Sequence, residues 1–355
     1  MVTLFACEKD EQEPEFTETP TNVSEYNQVS EGLKDYYDID TYFAIGAAVE
    51  PSQLDVAAEA TLLKRHFKSI TAENVMKWSI LQPAEGSFNF SHADALVSFA
   101  EANDMIVYGH TLCWHNQVPD WVFKDGAETA SKELVLQRLR THITTVMTHF
   151  KGKVYGWDVV NEAIDDGSDT YKNNLWYQIC GSDYIFEAFA TARTADRDAK
   201  LFYNDYSATN ATKREKIYTL LTELKAQNLV DGMGIQGHWN IEAPDDDLIT
   251  AAFDRYISAG VELRISELDV SIFTSNSDPE SIYTSSIATK QALAYGRIFR
   301  LFRMYKDNIT GVTTWGMADN HTWLDSFPVA GRKNYPLLFD GLYLPKQAYF
   351  TIIQF

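Results

Sequence analysis

Eight short runs rich in β-branched and aromatic residues alternate with longer stretches of helical period, and this alternation limits the possible folds more than any other feature. The runs are "YFAIGAAV" (42–49), "SITAEN" (69–74), "MIVYGH" (105–110), "VYGWDVVNE" (154–162), "KLFYND" (200–205), "MGIQGH" (233–238), "VELRISELD" (261–269) and "GVTTWG" (311–316). Helical patterns lie between them, among them Gln53 to Phe67, Lys132 to Phe150, Tyr184 to Arg193, Lys213 to Gln227 and Pro279 to Tyr305. Strands separated by helices pair in parallel through right-handed crossovers. Eight such units in a chain of 355 residues fit a closed (β/α)8 TIM barrel, a single catalytic domain over residues 30–355. A doubly wound open sheet would carry a Gly-rich phosphate turn after its first strand, and "GAAVEPSQ" is not one.

The runs end on chemistry: Asn74, His110, Glu162, Asp205, His238, Asp269 just after Glu267, and Trp315 near the end of the eighth. The C-terminal strand ends of such a barrel form its active-site face, so these side chains are expected to converge on one cleft. In "ISELDV" (265–270) the alternation of a regular strand would put Val261, Leu263, Ile265, Glu267 and Asp269 on one face, with Leu268 turned to the helices. Glu162 and Glu267 would then face each other across the mouth. Two carboxylates without clustered metal ligands suit glycosidic bond cleavage, one protonating the leaving oxygen while the other attacks or activates water. His238, oriented by Asp269, is expected to hold Glu267 ionised, and Glu162, in drier surroundings, to keep its proton. Asn161 adjoins Glu162, so both reach the cleft only if the strand bends or bulges there.

His110 and His115 are five residues apart, which fits neither a strand nor the i, i+4 spacing of a helical zinc site, so no metal and no cofactor are expected. Trp78, Trp114, Trp315 and Trp323 follow strand ends and are candidate walls for stacking on sugar rings, with Asn74 and Lys77 as hydroxyl donors. A Schiff-base role for Lys77 is the weaker alternative, because nothing in the sequence marks it as desolvated. A net charge of -20 argues against nucleic acid as a partner.

The N-terminus reads differently. "LFAC" (4–7) closes a short apolar start and is followed by acidic, Pro-containing sequence, like the end of a bacterial lipoprotein signal in which Cys7 is lipidated. Residues 1–29 are therefore expected to be a signal remnant and disordered acidic tether. The expected location is outside the cytoplasm, as a cell-surface or periplasmic lipoprotein of a bacterium, or else secreted. Membrane attachment would run only through the lipid on Cys7. Cys113 and Cys180 are expected to be buried free thiols.

"SITAENVMKWSILQPAEGSFNFSHAD", "YGHTLCWHNQVPDWV", "GWDVVNEAIDD", "LFYNDY", "DGMGIQGHW", "ISELDV", "TWGMADNHTWLD" and "PLLFDGLYLPKQAYFTI" occur in an order that resembles glycoside hydrolase family 10, the endo-1,4-β-xylanases. The resemblance implies retaining hydrolysis of xylan and xylooligosaccharides by a monomer, with Glu162 as general acid/base and Glu267 as nucleophile. It implies that Asn161 contacts the 2-hydroxyl at the cleavage point and that His238 and Asp269 support Glu267. It also implies substrate contacts from Glu73, Asn74, Lys77, His110, Trp114 and Gln236, with Trp315 and Trp323 as aromatic walls. Trp323 would crowd a hydroxymethyl group and so favour xylose over glucose. Glu50 stands where many relatives carry Asn. Two other readings remain at this point: the same mechanism on β-1,4-glucan, and a catalytically silent glycan-binding protein.

Overall fold

The computed structural model describes residues 20–355. Eight strands form the barrel: β1 (Ala44–Val49), β2 (Ser69–Ala72), β3 (Ile106–Cys113), β4 (Val154–Asn161), β5 (Lys200–Asp205), β6 (Gly232–Ile235), β7 (Glu262–Ser271) and β8 (Ile309–Thr314). Each pairs in parallel with the next, and β8 closes the ring by pairing with β1. One helix follows each strand: α1 (Ala57–His66), α2 (Ser91–Ala102), α3 (Lys132–His149), α4 (Asp183–Ala195), α5 (Ala211–Ala226), α6 (Asp246–Ser258), α7 (Ser285–Met304) and α8 (Gln347–Ile353). Among the described residues no helix is long and apolar enough to cross a membrane.

Local chemistry sets the helix starts. Side chains of Ser131, Asn210, Asp245 and Thr284 accept backbone N–H bonds at the starts of α3, α5, α6 and α7. The Thr284 cap explains why α7 begins at Ser285 and not at Pro279. The helix expected from Gln53 to Phe67 is two pieces, Pro51–Leu54 and α1, with Asp55 and Val56 between them.

Apolar side chains of the strands and helices form one continuous layer around the barrel. The inside of the barrel is more polar. Arg264 on β7 is fully buried; its guanidinium lies 3.9 Å over the Tyr108 ring and donates to Thr313. Gly311 leaves room for it: a Cβ there would come within 2.2 Å of Arg264 Nη1 and displace the guanidinium. Tyr108 donates to Asp158 (2.7 Å), and Asp158 bonds His110 Nδ1 (2.8 Å), so a polar column rises from the barrel floor to its mouth. Burial raises the Asp158 pKa, and the bonds from His110 and Tyr108 oppose the rise.

Part of the segment expected to be a disordered tether is ordered. Cys7 and most of the acidic stretch lie outside the described residues, but residues 22–29 fold onto the barrel instead of remaining disordered. Val23–Tyr26 is a helical turn capped by Asn22, and Tyr26 is buried, with its hydroxyl 2.9 Å from His66 Nε2. Arg65 lies over the Tyr26 ring and donates to the carbonyls of Tyr26, Val29 and Glu31. An aromatic anchor and a guanidinium that satisfies free carbonyls together offset the entropy of ordering the segment.

Candidate active site

Most of the strand ends converge on one cleft. A cavity of about 680 Å³ at the C-terminal face is lined by every candidate residue except Asp269, which lies behind His238, Asp205, which is buried against Lys213 instead of reaching the cleft, and Trp78. Glu162 follows the last residue of β4 in a left-handed conformation, φ 57°. This conformation, rare outside glycine, is held because Glu162 donates its N–H to Asn204 O (2.9 Å) and the next two amides donate to the Tyr203 hydroxyl. A register shift between Asp158 and Val160 adds to the bend. Asn161 and Glu162 therefore both reach the cavity despite adjoining each other.

The face-sharing argument for β7 needs correction. The register of β7 shifts between Ile265 and Leu268. Consecutive residues there touch the same Asn204 carboxamide: Ser266 Oγ donates to its Oδ1 (2.6 Å), and its Nδ2 donates to Glu267 Oε1 (2.7 Å). Leu263 and Ile265 join the apolar layer while Arg264 points into the barrel, so Glu267 does not share their face. A bulge re-aims the carboxylate. Leu268 is fully buried in the apolar layer, as expected.

Around Glu267 the charges are ordered. His238 Nε2 is 3.2 Å from Glu267 Oε2, and its Nδ1 is 2.8 Å from Asp269 Oδ2, which also accepts from Trp323 Nε1 (2.9 Å). Burial disfavours a charged His238, but Asp269 and Glu267 outweigh it and push its pKa up to about 10. Burial would raise Glu267, yet the bond from His238, the neighbouring His110 and Asn204 hold its carboxyl below the usual range. Glu267 is thus a buried carboxylate kept ionised by an imidazolium.

Glu162 has different neighbours, and they are not drier. Its side chain is 13% exposed against 6% for Glu267. It accepts from Trp114 Nε1 (3.0 Å) and Gln236 Nε2 (3.0 Å), and Lys172 Nζ lies 3.4 Å away. The difference between the two acids comes from their partners, not from unequal dryness.

The remaining candidates divide by wall. Glu73 bonds His321 (2.8 Å); Asn74 donates to Glu50 (2.6 Å) and accepts from Lys77 (2.9 Å) and Gln117 (3.3 Å). Lys77 is only 6% exposed, and burial lowers its pKa, a desolvation that nothing in the sequence marks. Its ammonium faces the charges of Glu267, Glu73, Glu50 and Glu162, and its Nζ is 5.0 Å from the Trp114 ring centroid. Trp315 stands edge-on to His110 and His238, and Trp323 packs on His238 and stacks with Phe327. Trp78 does not belong to these walls: it is buried, stacked 3.7 Å from His142 in the core.

Several functional candidates escape the sequence. Asn204 sits between the two acids, its carboxamide 3.0 Å from that of Asn161, and its only signal is a polar residue at the penultimate position of β5. Lys172, Tyr206 and Phe327 also line the cavity but come from loops whose paths the pattern does not give. Cys113 and Cys180 are free and buried.

A parallel barrel whose strand ends hold two carboxyl groups in contrasting hydrogen-bond settings, between aromatic walls, defines a two-carboxylate glycosidase. The family model "Glycosyl hydrolase family 10" matches residues 32–355, and the chain belongs to that family. It is 47% identical over 316 residues to endo-1,4-beta-xylanase B of Paenibacillus barcinonensis, an alignment covering 88% of this chain and 95% of that protein. It is equally 47% identical to an endo-1,4-beta-xylanase of Geobacillus stearothermophilus, over 88% of this chain and 95% of that one. A crystal structure of xylanase XynB from Paenibacillus barcinonensis, complexed with a conduramine derivative, superposes with a TM-score of 0.88 at 45% identity, covering 92% of this chain and 98% of that chain.

Proposed function

We propose that this chain is an endo-1,4-β-xylanase that cleaves internal bonds of xylan and xylooligosaccharides by double displacement with net retention. The observation that carries the assignment of roles is the contrast between the two acids. Glu267 is buried and held ionised by His238 and Asn204, as a nucleophile requires. Glu162 sits on the bent end of β4 and accepts hydrogen bonds from Trp114 and Gln236.

Glu162 gives its proton to the leaving glycosidic oxygen while Glu267 attacks the anomeric carbon and forms a glycosyl-enzyme ester. Glu162, now a carboxylate, takes a proton from water, whose oxygen displaces Glu267 and restores both groups. Asn161 is placed to meet the 2-hydroxyl, and His238 and Asp269 keep Glu267 charged. Glu73, Asn74, Lys77, His110, Trp114 and Gln236 bind the sugars on one side of the cleavage point, while Trp315 and Trp323 wall the cleft. All these side chains come from one chain, so the reaction needs no second subunit.

Product profiling on xylan and xylooligosaccharides tests class, substrate and endo action together. Glu267→Ala should abolish release of reducing ends with the fold retained; substantial surviving activity would reject the assignment. Faster initial rates on barley β-glucan than on xylan would favour the glucanase reading, and no reducing-sugar release at all would favour a binding protein. We also propose export, with a lipid on Cys7 as membrane anchor. Replacing Cys7 by Ser should then release the native protein into the soluble fraction, and an unmodified Cys7 in the native protein would remove the anchor.

A further inference from the structure

Asp205 closes β5 without reaching the cleft, and the reaction described above gives it no task. It is fully buried, as is Tyr203 on the same strand, and Lys213 on α5 is 2% exposed. Asp205 Oδ1 lies 2.8 Å from Lys213 Nζ, while Asp205 Oδ2 accepts from the Tyr203 hydroxyl. Burying two charges is costly, and apolar side chains of similar volume often serve stability as well. The use of this pair lies in what it orients.

Tyr203 Oη accepts from the amides of Ala163 (3.0 Å) and Ile164 (3.1 Å), the two residues that follow Glu162. A phenol carries one proton. With Asp205 ionised, that proton is committed to its carboxylate, which leaves the oxygen's lone pairs to the two amides and strengthens it as an acceptor. Burial pushes the Asp205 pKa up to about 6, and the Lys213 ammonium opposes the rise. The same ammonium reaches the loop again at Asp166 Oδ1 (2.8 Å), and Lys216, one turn along α5, donates to the carbonyls of Asp165, Gly167 and Asp169. Asp166 also accepts from the hydroxyl of Tyr206, which lines the cleft. The segment after Glu162 is therefore gripped by β5 and α5 at two amides, one carboxylate and three carbonyls. A left-handed glutamate persists only where its surroundings fix it in this way.

We propose that Tyr203, Asp205 and Lys213 are positioning residues for proton transfer: together they hold the turn that aims the Glu162 carboxyl at the leaving glycosidic oxygen. The inference rests on the general-acid role given to Glu162.

The test uses two variants. Tyr203→Phe removes the acceptor and leaves the Asp205–Lys213 pair whole. In Asp205→Asn the carboxamide oxygen stays on Lys213, so its Nδ2 donates to Tyr203 and competes with the two amides. Both are compared with wild type and Glu162→Ala on xylohexaose and on dinitrophenyl xylobioside, whose leaving group needs no proton. On xylohexaose kcat/KM should fall about 10- to 100-fold, as for a reacting group misplaced by about 1 Å; on the aryl glycoside both variants should match wild type. An equal loss on both substrates, the mark of general loosening, or no loss on xylohexaose would overturn the inference. If Glu162→Ala itself loses as much on the aryl glycoside as on xylohexaose, the acid role of Glu162 fails separately. Hydrogen exchange then decides the turn: protection of the Ala163 and Ile164 amides lost in both variants supports the grip on Glu162, and protection kept in either refutes it.

Discussion

At the scale of single residues, the two acids owe their difference to what touches them. In the first step Glu162 acts only where the leaving group needs a proton, and in the second it activates water, so Glu162→Ala should slow xylan cleavage by roughly 10²–10⁴-fold. The same variant should lose far less in the first step on an aryl xyloside with an acidic phenol, measured as the burst of phenolate. His238 yields a pH prediction. Its pKa is raised to about 10, so its contribution to stability is fully present below its unfolded value, about 6.5, and is lost as pH rises toward 10. Glu267 is shifted downward, so its contribution is present above the ordinary carboxylate range and lost as pH falls below it. The Tm difference between wild type and His238→Gln should therefore be largest near pH 6 and shrink toward pH 10 in thermal melts. A difference that grows with pH would contradict an imidazolium at this position.

At the scale of elements, the site depends on two irregular strand ends, and Asn204 on β5 ties them together. It accepts Ser266 Oγ, donates to Glu267, lies beside Asn161 and gives its carbonyl to the Glu162 amide. Asn204→Ala removes the carboxamide and leaves buried groups unpaired, so denaturant titration should show a loss of about 1–3 kcal/mol. Its kcat should fall more than its KM rises, because both acids lose their support. The strands themselves are legible from β-rich runs, since burial between helices imposes apolar composition on them. Of their bends, the one at Asn161 and Glu162 is legible only as a condition for both to reach the cleft, and the bulge at Ser266 and Glu267 is not legible, because both are stabilised by partners on β5 that local sequence does not name. Trp78 shows the same limit. It looks like a wall residue by its position after β2, yet it stacks on His142 from α3.

At the scale of the whole molecule, the chain seals its barrel with residues from both ends. Tyr26 meets His66 and, edge-on, Tyr349 of α8, while Tyr37 donates to Ile352 O and accepts from Arg303 of α7. These contacts lie on helices, away from the residues that line the cleft. Tyr26→Ala should lower stability by about 3 kcal/mol, as for other large aromatic truncations, and leave kcat on xylooligosaccharides unchanged. A fall in kcat at constant stability would mean that this segment reaches the active site.

By itself the sequence determined the order of eight strands and helices, the placement of Glu162 and Glu267 at strand ends, and the aromatic and amide residues near them. Hydrophobic period and strand-end polarity are local properties of a chain, so a linear reading reaches them. Tertiary structure decided that Glu162 is no drier than Glu267, that Lys77 is buried, and that Asn204 sits between the acids. Each of these depends on desolvation and on partners far apart in the chain, and such partners meet only when the barrel closes.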